Sequence, residues 1–298
     1  MNSLAPTVSR KPFDTRRIRP YPRKPKKRLE RSKVTIAAGL TYRDGVILCA
    51  DSEMTLGDSL KYRQEKVAFA TGGKLETVLT GAGDEGFMKM AWSRILEQLA
   101  AKAEGINRDS DVEKTIDEVV GRIYKRNIGA LPREDQYGSG FTLLAAWCID
   151  GLAPCLFKVA DTRLQPIIGF TCTGMGEPLA KYASEGLYDP SMTLPQALAL
   201  AAYVIYVAKE YVPKCGGFTS IVVLDRTGIR FDWDREIYAL ESYFHSFNSS
   251  VKPLFLATAD ESLADADFQR QADQFLQSLQ RMREHKKHYP DLDTFDPG

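Results

Sequence analysis

The chain is short of the side chains on which much enzyme chemistry relies. It has three histidines in 298 residues, His245, His285 and His288, all in the last fifth of the sequence. No nucleophile elbow accompanies them, so a Ser-His-Asp hydrolase is not indicated. His285 and His288 share a helix face in a basic stretch with Arg283, Lys286 and Lys287, which reads as solvated and not as a metal site. There is no P-loop and no dinucleotide fingerprint. The five cysteines (Cys49, Cys148, Cys155, Cys172, Cys215) contain no CxxC pair. An odd, dispersed set argues against a disulfide framework and fits a reducing compartment. Cys215, between Lys214 and Gly216, reads as a small residue packed at a loop. The longest apolar run, residues 198–208, is about half of the ~20 residues a membrane span needs. Positive charge at the N-terminus is not followed by an apolar segment, so no secretory signal is read there. A cytoplasmic protein with no membrane partner is expected.

An excess of either charge is also lacking overall, but the formal net charge of +1 hides an asymmetry. Residues 1–33 take 12 of the 40 basic residues and 2 of the 39 acidic ones, which leaves the remaining chain at a net −9. The same segment holds five prolines (Pro6, Pro12, Pro20, Pro22, Pro25). Such a stretch cannot bury enough apolar surface to offset the cost of ordering it. Four readings stay open for it: a disordered tail, a basic arm for an acidic partner, a propeptide, or a misassigned start with translation beginning at Val34. Nucleic acid is not favoured as a partner, because isolated basic clusters are unspecific.

What is present is a regular alternation of strand and helix patterns. Two apolar runs, 35–42 and 45–52, flank Arg43-Asp44-Gly45 and read as a hairpin. Residues 66–70 and 75–79 read as two further strands, reached from Asp51 across a polar loop. A helix follows with Met88, Trp92, Ile95 and Leu99 at 3.6-residue spacing. A second opens at Ser110-Asp111 and carries Val112, Ile116, Val119 and Ile123 on one face. Strands are expected over 141–149, 156–161 and 165–172, helices from about 177 and over 194–211, then strands over 218–225 and 229–231. That order suits an α+β domain of two sheets packed face to face under helical layers. Residues 250–298 read as a polar linker and a helix with Phe268, Phe275, Leu279 and Met282 on one face.

Thr35 opens the first strand, Asp51-Ser52 closes the second, Thr55 and Gly57 follow, and then comes Lys66. Later come Thr80-Gly81-Ala82-Gly83-Asp84, Thr173-Gly174-Met175-Gly176 and Gly216-Gly217. Over residues 35–231 this series resembles a proteasome β-type subunit, an N-terminal-nucleophile (Ntn) hydrolase. The match is ungapped from Thr35 to Gly57 and needs one deleted residue to align Lys66. The resemblance implies a four-layer αββα sandwich over residues 35–249, with 1–34 as an extension and 250–298 packing on the domain or on a neighbour.

It also implies chemistry. A threonine at a free N-terminus supplies a hydroxyl nucleophile and its own α-amine as base, whose ordinary pKa lies near 7.7–8.0. Thr35 would fill that role. Lys66 would lower the effective pKa of these groups by like charge, and Asp51 would hold and compensate the lysine. Gly81 would donate the oxyanion amide. Threonine-type endopeptidase activity on peptide or unfolded-protein substrates is expected, in a ring or stacked oligomer of the chain itself, without metal or organic cofactor. An ATPase partner is left open.

The sequence departs from the family at four places. Met175 stands where active subunits usually carry serine, Val212 and Cys215 replace an aspartate and a serine, and Val34 replaces the glycine at the self-cleavage point. The alternatives are a structural, inactive subunit with a basic arm, because an amide-bonded Thr35 nitrogen cannot act as a base, and acyl transfer to an amine in place of hydrolysis.

Overall fold

The computed structural model describes residues 33–34, 36–56, 60–136, 138–231 and 233–287. Thr35, Gly57 and His288 lie outside the described residues, as does the arm up to residue 32. Among those described, two five-stranded antiparallel sheets face each other. The first contains β6 (Val67–Gly72), β7 (Leu75–Gly83), β8 (Phe141–Ile149), β9 (Cys155–Ala160) and β10 (Arg163–Ile167), in the order β10-β9-β8-β7-β6. The second contains β2 (Ile36–Tyr42), β3 (Gly45–Asp51), β11 (Phe170–Gly174), β12 (Thr219–Asp225) and β13 (Gly228–Arg230), in the order β11-β2-β3-β12-β13.

Strand alternation decides which residues meet between the sheets and which meet helices. On β3, Val46, Leu48 and Ala50 face the other sheet, while Ile47 and Cys49 face helices. On β8, Leu144, Ala146 and Cys148 point inward, and Leu143, Ala145, Trp147 and Ile149 point to the opposite helical layer. Because both faces of these strands are covered, they read as nearly continuous apolar runs. Helices α1 (Glu85–Lys102) and α2 (Asp109–Ile123) cover the first sheet. A π-helical turn at Tyr124–Ile128 and the short α3 (Arg133–Gln136) lead back to β8. Helices α4 (Glu177–Glu185) and α5 (Leu194–Tyr211) cover the second sheet. The expected four-layer αββα arrangement is therefore the observed one. Asp84 caps α1 by accepting the Phe87 N–H at 3.2 Å, and a Thr193–Gln196 capping box opens α5.

Four local expectations are corrected. The strand expected over 165–172 is two strands on different sheets, β10 and β11. The chain changes sheet at Ile168-Gly169, where Gly169 has φ +119°, a backbone conformation that favours glycine. The polar loop expected between Asp51 and Lys66 contains a hairpin, β4 (Glu53–Leu56) and β5 (Leu60–Arg63). With β1 (Lys33–Val34) it forms a third, small sheet, in which Lys33 pairs with Thr55 and Val34 with Met54. The strand expected over 75–79 continues through Gly81 to Gly83. Finally, the division at residues 249/250 falls inside a helix, α6 (Asp234–Ala257). Pro253 lies inside α6, where it removes one backbone donor, and the helix continues past it to Ala257. Trp233, Ile237, Leu240 and Phe244 join the core beside α5. Helix α7 (Asp265–Lys287) returns along α6, with Phe275 against Phe247 at 5.5 Å between ring centroids.

Candidate active site

Asp51 ends β3 and Lys66 stands immediately before β6, so the facing of the two sheets brings the two side chains together. Lys66 Nζ lies 2.6 Å from Asp51 Oδ1, with side-chain exposures of 1% and 0%. A lysine this deep must be paired and hydrogen-bonded to remain tolerable. Its ammonium also donates to the Glu53 carbonyl, and its own carbonyl accepts from Thr80 Oγ1 at 2.7 Å. Burial pulls the Lys66 pKa below the ordinary lysine value, opposed by the attraction of Asp51.

Asp51 is held from three sides. Besides Lys66, Oδ1 accepts the Ile36 N–H at 3.3 Å, and Oδ2 accepts the Gly216 N–H at 3.0 Å. The bond to Ile36 ties the aspartate to the residue directly after Thr35. The Gly216-Gly217 turn is moulded onto the neighbouring residues. The Glu53 N–H donates to the Gly216 carbonyl at 3.0 Å, and the Phe218 N–H donates to Ser52 Oγ at 2.7 Å. Gly217 has φ +74°, and a Cβ there would fall 2.5 Å from Ser52 Oγ, so two independent constraints demand glycine.

Asp51 and Lys66 are thus brought together as the sequence suggested, while Thr35 lies outside the described residues. Gly81 sits within β7, opposite Leu143. A Cβ there would come 2.3 Å from the Thr142 carbonyl oxygen, so close strand approach alone requires this glycine. Met175 is 45% exposed and borders an open cleft of about 300 Å³ lined also by Ala82, Gly83, Phe141 and Gly174. Gly174 pairs opposite Ile36, so the cleft adjoins the start of β2. Cys215 is buried and directly precedes Gly216, whose N–H donates to Asp51 Oδ2.

Sequence reasoning assigned no role to Thr80, Ser52 or the Glu53 carbonyl. Thr80 stands within the glycine motif at residues 80–84 and was findable there. The Glu53 carbonyl carries no side-chain signal. Among the described residues, no group of three or more His, Cys, Asp and Glu is placed to hold a metal ion. No helix there is long and apolar enough to cross a membrane.

The αββα sandwich, with a buried lysine–aspartate pair beside the first residue of an inner strand, is that of the Ntn hydrolases. The family model for proteasome subunits matches residues 32–224, and the chain belongs to that family. A proteasome subunit beta of Gordonia bronchialis is 26% identical over 209 residues, covering 66% of this chain and 70% of that protein. One from Archaeoglobus profundus is 23% identical, covering 66% and 86%. Among solved structures, Anbu (ancestral beta-subunit) from Yersinia bercovieri superposes with a TM-score of 0.62 at 13% identity, covering 74% of this chain and 97% of that one. A helical assembly of the Anbu complex from Pseudomonas aeruginosa gives 0.55 at 15% identity, covering 78% and 99%. At such identities the structural likeness speaks for the fold alone.

Proposed function

We propose that this chain is a threonine-type endopeptidase that works in the cytoplasm within an oligomer of its own copies. The observation carrying this reading is the Lys66–Asp51 pair, withdrawn from water and anchored to the residue next to Thr35. In the proposed reaction Thr35 has a free α-amine. Its hydroxyl attacks the peptide carbonyl while the amine takes the proton. The tetrahedral intermediate expels the leaving amine, which takes up that proton, and leaves an ester on Thr35. Water then attacks the ester, again with the α-amine as base, and releases the acid.

Lys66 lowers the pKa of the attacking group by its charge, and Asp51 keeps it oriented. The Gly81 amide serves the oxyanion, a contribution of about 3 kcal/mol where such donors have been removed. Family membership and the helical assembly of the Anbu neighbour support self-association. The odd, dispersed set of five cysteines fits a reducing compartment. The substrate class is a peptide or an unfolded protein segment, and no cofactor takes part.

A second reading is favoured by one observation. Residues 33–34, directly ahead of Thr35, pair with β4 as part of a sheet. In a chain kept in that form, the Thr35 nitrogen is an amide and cannot act as base, and the protein would be a structural subunit. Intact mass and N-terminal sequencing of the protein from its native host, with a Thr35→Ala variant alongside, separate the two. A chain beginning at Thr35 whose peptidase activity disappears in Thr35→Ala is the expected result. A chain that keeps residues 33–34, with any activity indifferent to Thr35→Ala, would overturn the peptidase reading.

A further inference from the structure

Helix α6 lies beyond the region matched by the family model, yet one of its side chains reaches the frame of the site. Glu241 lies on the face of α6 turned to α5 and β12. It accepts from Lys209 Nζ of α5 at 2.6 and 2.9 Å and from Thr219 Oγ1 of β12 at 2.6 Å. Lys209 also donates to Thr219 Oγ1 at 3.1 Å, which closes a three-membered network. The side chains of Lys209 and Glu241 are only 13% and 19% exposed, and Thr219 is buried. Charged hydrogen bonds so shielded are stronger and more directional than surface pairs.

Thr219 is not an arbitrary anchor. It is the first residue of β12 and pairs directly opposite Asp51. The three residues before it hold the Asp51 end of β3. Gly216 N–H donates to Asp51 Oδ2, Phe218 N–H to Ser52 Oγ, and the Ser52 N–H to the Phe218 carbonyl. That turn contains two glycines, between buried Cys215 and Phe218, whose ring lies under the Arg63 guanidinium at 4.2 Å. It runs directly into the first residue of β12, whose side chain is bonded to Glu241.

We propose that Glu241 is a positioning residue for the Asp51–Lys66 pair, acting through Thr219 and the Gly216-Gly217 turn. The consequence for catalysis rests on the peptidase reading above, whereas the mechanical link does not. The test is amide hydrogen exchange on the full chain, comparing Glu241→Gln, Thr219→Val and the double variant. Ser246→Ala serves as control, because Ser246 on α6 bonds towards Ser278 of α7.

We expect exchange at Gly216 and Phe218 to accelerate at least ~10-fold in Glu241→Gln, with amides of the first sheet unchanged. Thr219→Val should add little on top of Glu241→Gln, the mark of a shared pathway. The Ser246→Ala control should leave Gly216 and Phe218 unaltered. Unchanged exchange at Gly216, or acceleration spread uniformly through both sheets, would overturn the proposal whether or not the protein cleaves peptides. If the chain is a processed peptidase, Glu241→Gln should also lower kcat several-fold at unchanged KM. A rise in KM alone, with kcat preserved, would count against the positioning role.

Discussion

The two ends of the β3–β12 ladder carry the same acid in different company. Asp51 closes β3 opposite Thr219, and Asp225 closes β12 opposite Gly45, roughly 20 Å away at about 3.4 Å per residue. At the far end Asp225 pairs with Arg230, accepts from Tyr42 Oη at 3.3 Å, and takes the Thr227 N–H and hydroxyl at 2.8 and 2.5 Å. Burial and the Asp225 charge push the Tyr42 phenol well above its usual range. At the near end the cation is a lysine, more deeply buried than Arg230 and with a depressed pKa. The two ion pairs on one ladder therefore differ in kind: the partly exposed arginine end locks a turn, and the lysine end is withdrawn from water.

Breaking the near pair should have the largest effect. Lys66→Met leaves the Asp51 carboxylate buried without its cation, which is expected to cost about 3–5 kcal/mol in chemical denaturation. The proposed turnover should fall by roughly 10²–10⁴-fold. Gly217→Ala attacks the same end through the backbone, since it combines φ +74° with a clash at Ser52 Oγ. A loss of about 2–3 kcal/mol and a marked drop in turnover are expected. Arg230→Met tests the far end. Asp225 keeps its bonds to Thr227 and Tyr42, so a loss of about 1–3 kcal/mol is expected with turnover unchanged. Equal losses of turnover from Arg230→Met and Lys66→Met would remove the distinction between the ends.

The smallest effect is in pH. Below the folded pKa of Lys66, folded and unfolded chains both carry the proton and its contribution to stability is flat. Between that depressed value and the ordinary lysine pKa, the unfolded chain binds more protons, so stability rises with pH. Denaturation midpoints followed upward from pH 7 should show this rise in the parent protein and lose it in Lys66→Met.

Much of this fold was legible because its strands and helices are long and strongly apolar. Phe141–Ile149 and Leu194–Tyr211 fall where their apolar patterns place them. The change of sheet at Ile168-Gly169 was hidden, because apolar residues continue through it and only a single glycine marks it. Helix α6 was missed: no element was expected over 234–249, and its last two turns fell within the expected polar linker. In the site, the identities of Asp51 and Lys66 came from their place in the motif, but their shared clamp did not. Gly216 donates to Asp51 across 165 residues of sequence, and a backbone N–H leaves no trace in residue type. Thr80 belonged to the motif, yet a threonine in a strand fits equally well as an ordinary pleat residue.

The crossing at Ile168-Gly169 has a mechanical consequence. Strands β10 and β11 lie at matching edges of their sheets, joined by two residues. Three Cα–Cα links reach about 10–11 Å when extended, close to the ~10 Å spacing of stacked sheets. That margin of the sandwich works like the spine of a book, with almost no slack. The opposite margin, where β6 and β13 lie, is closed by contacts such as Phe69 against Phe231 at 4.8 Å. Any breathing of the two sheets should therefore open along the β6–β13 margin, and Lys66, at the foot of β6, lies on the cover that moves.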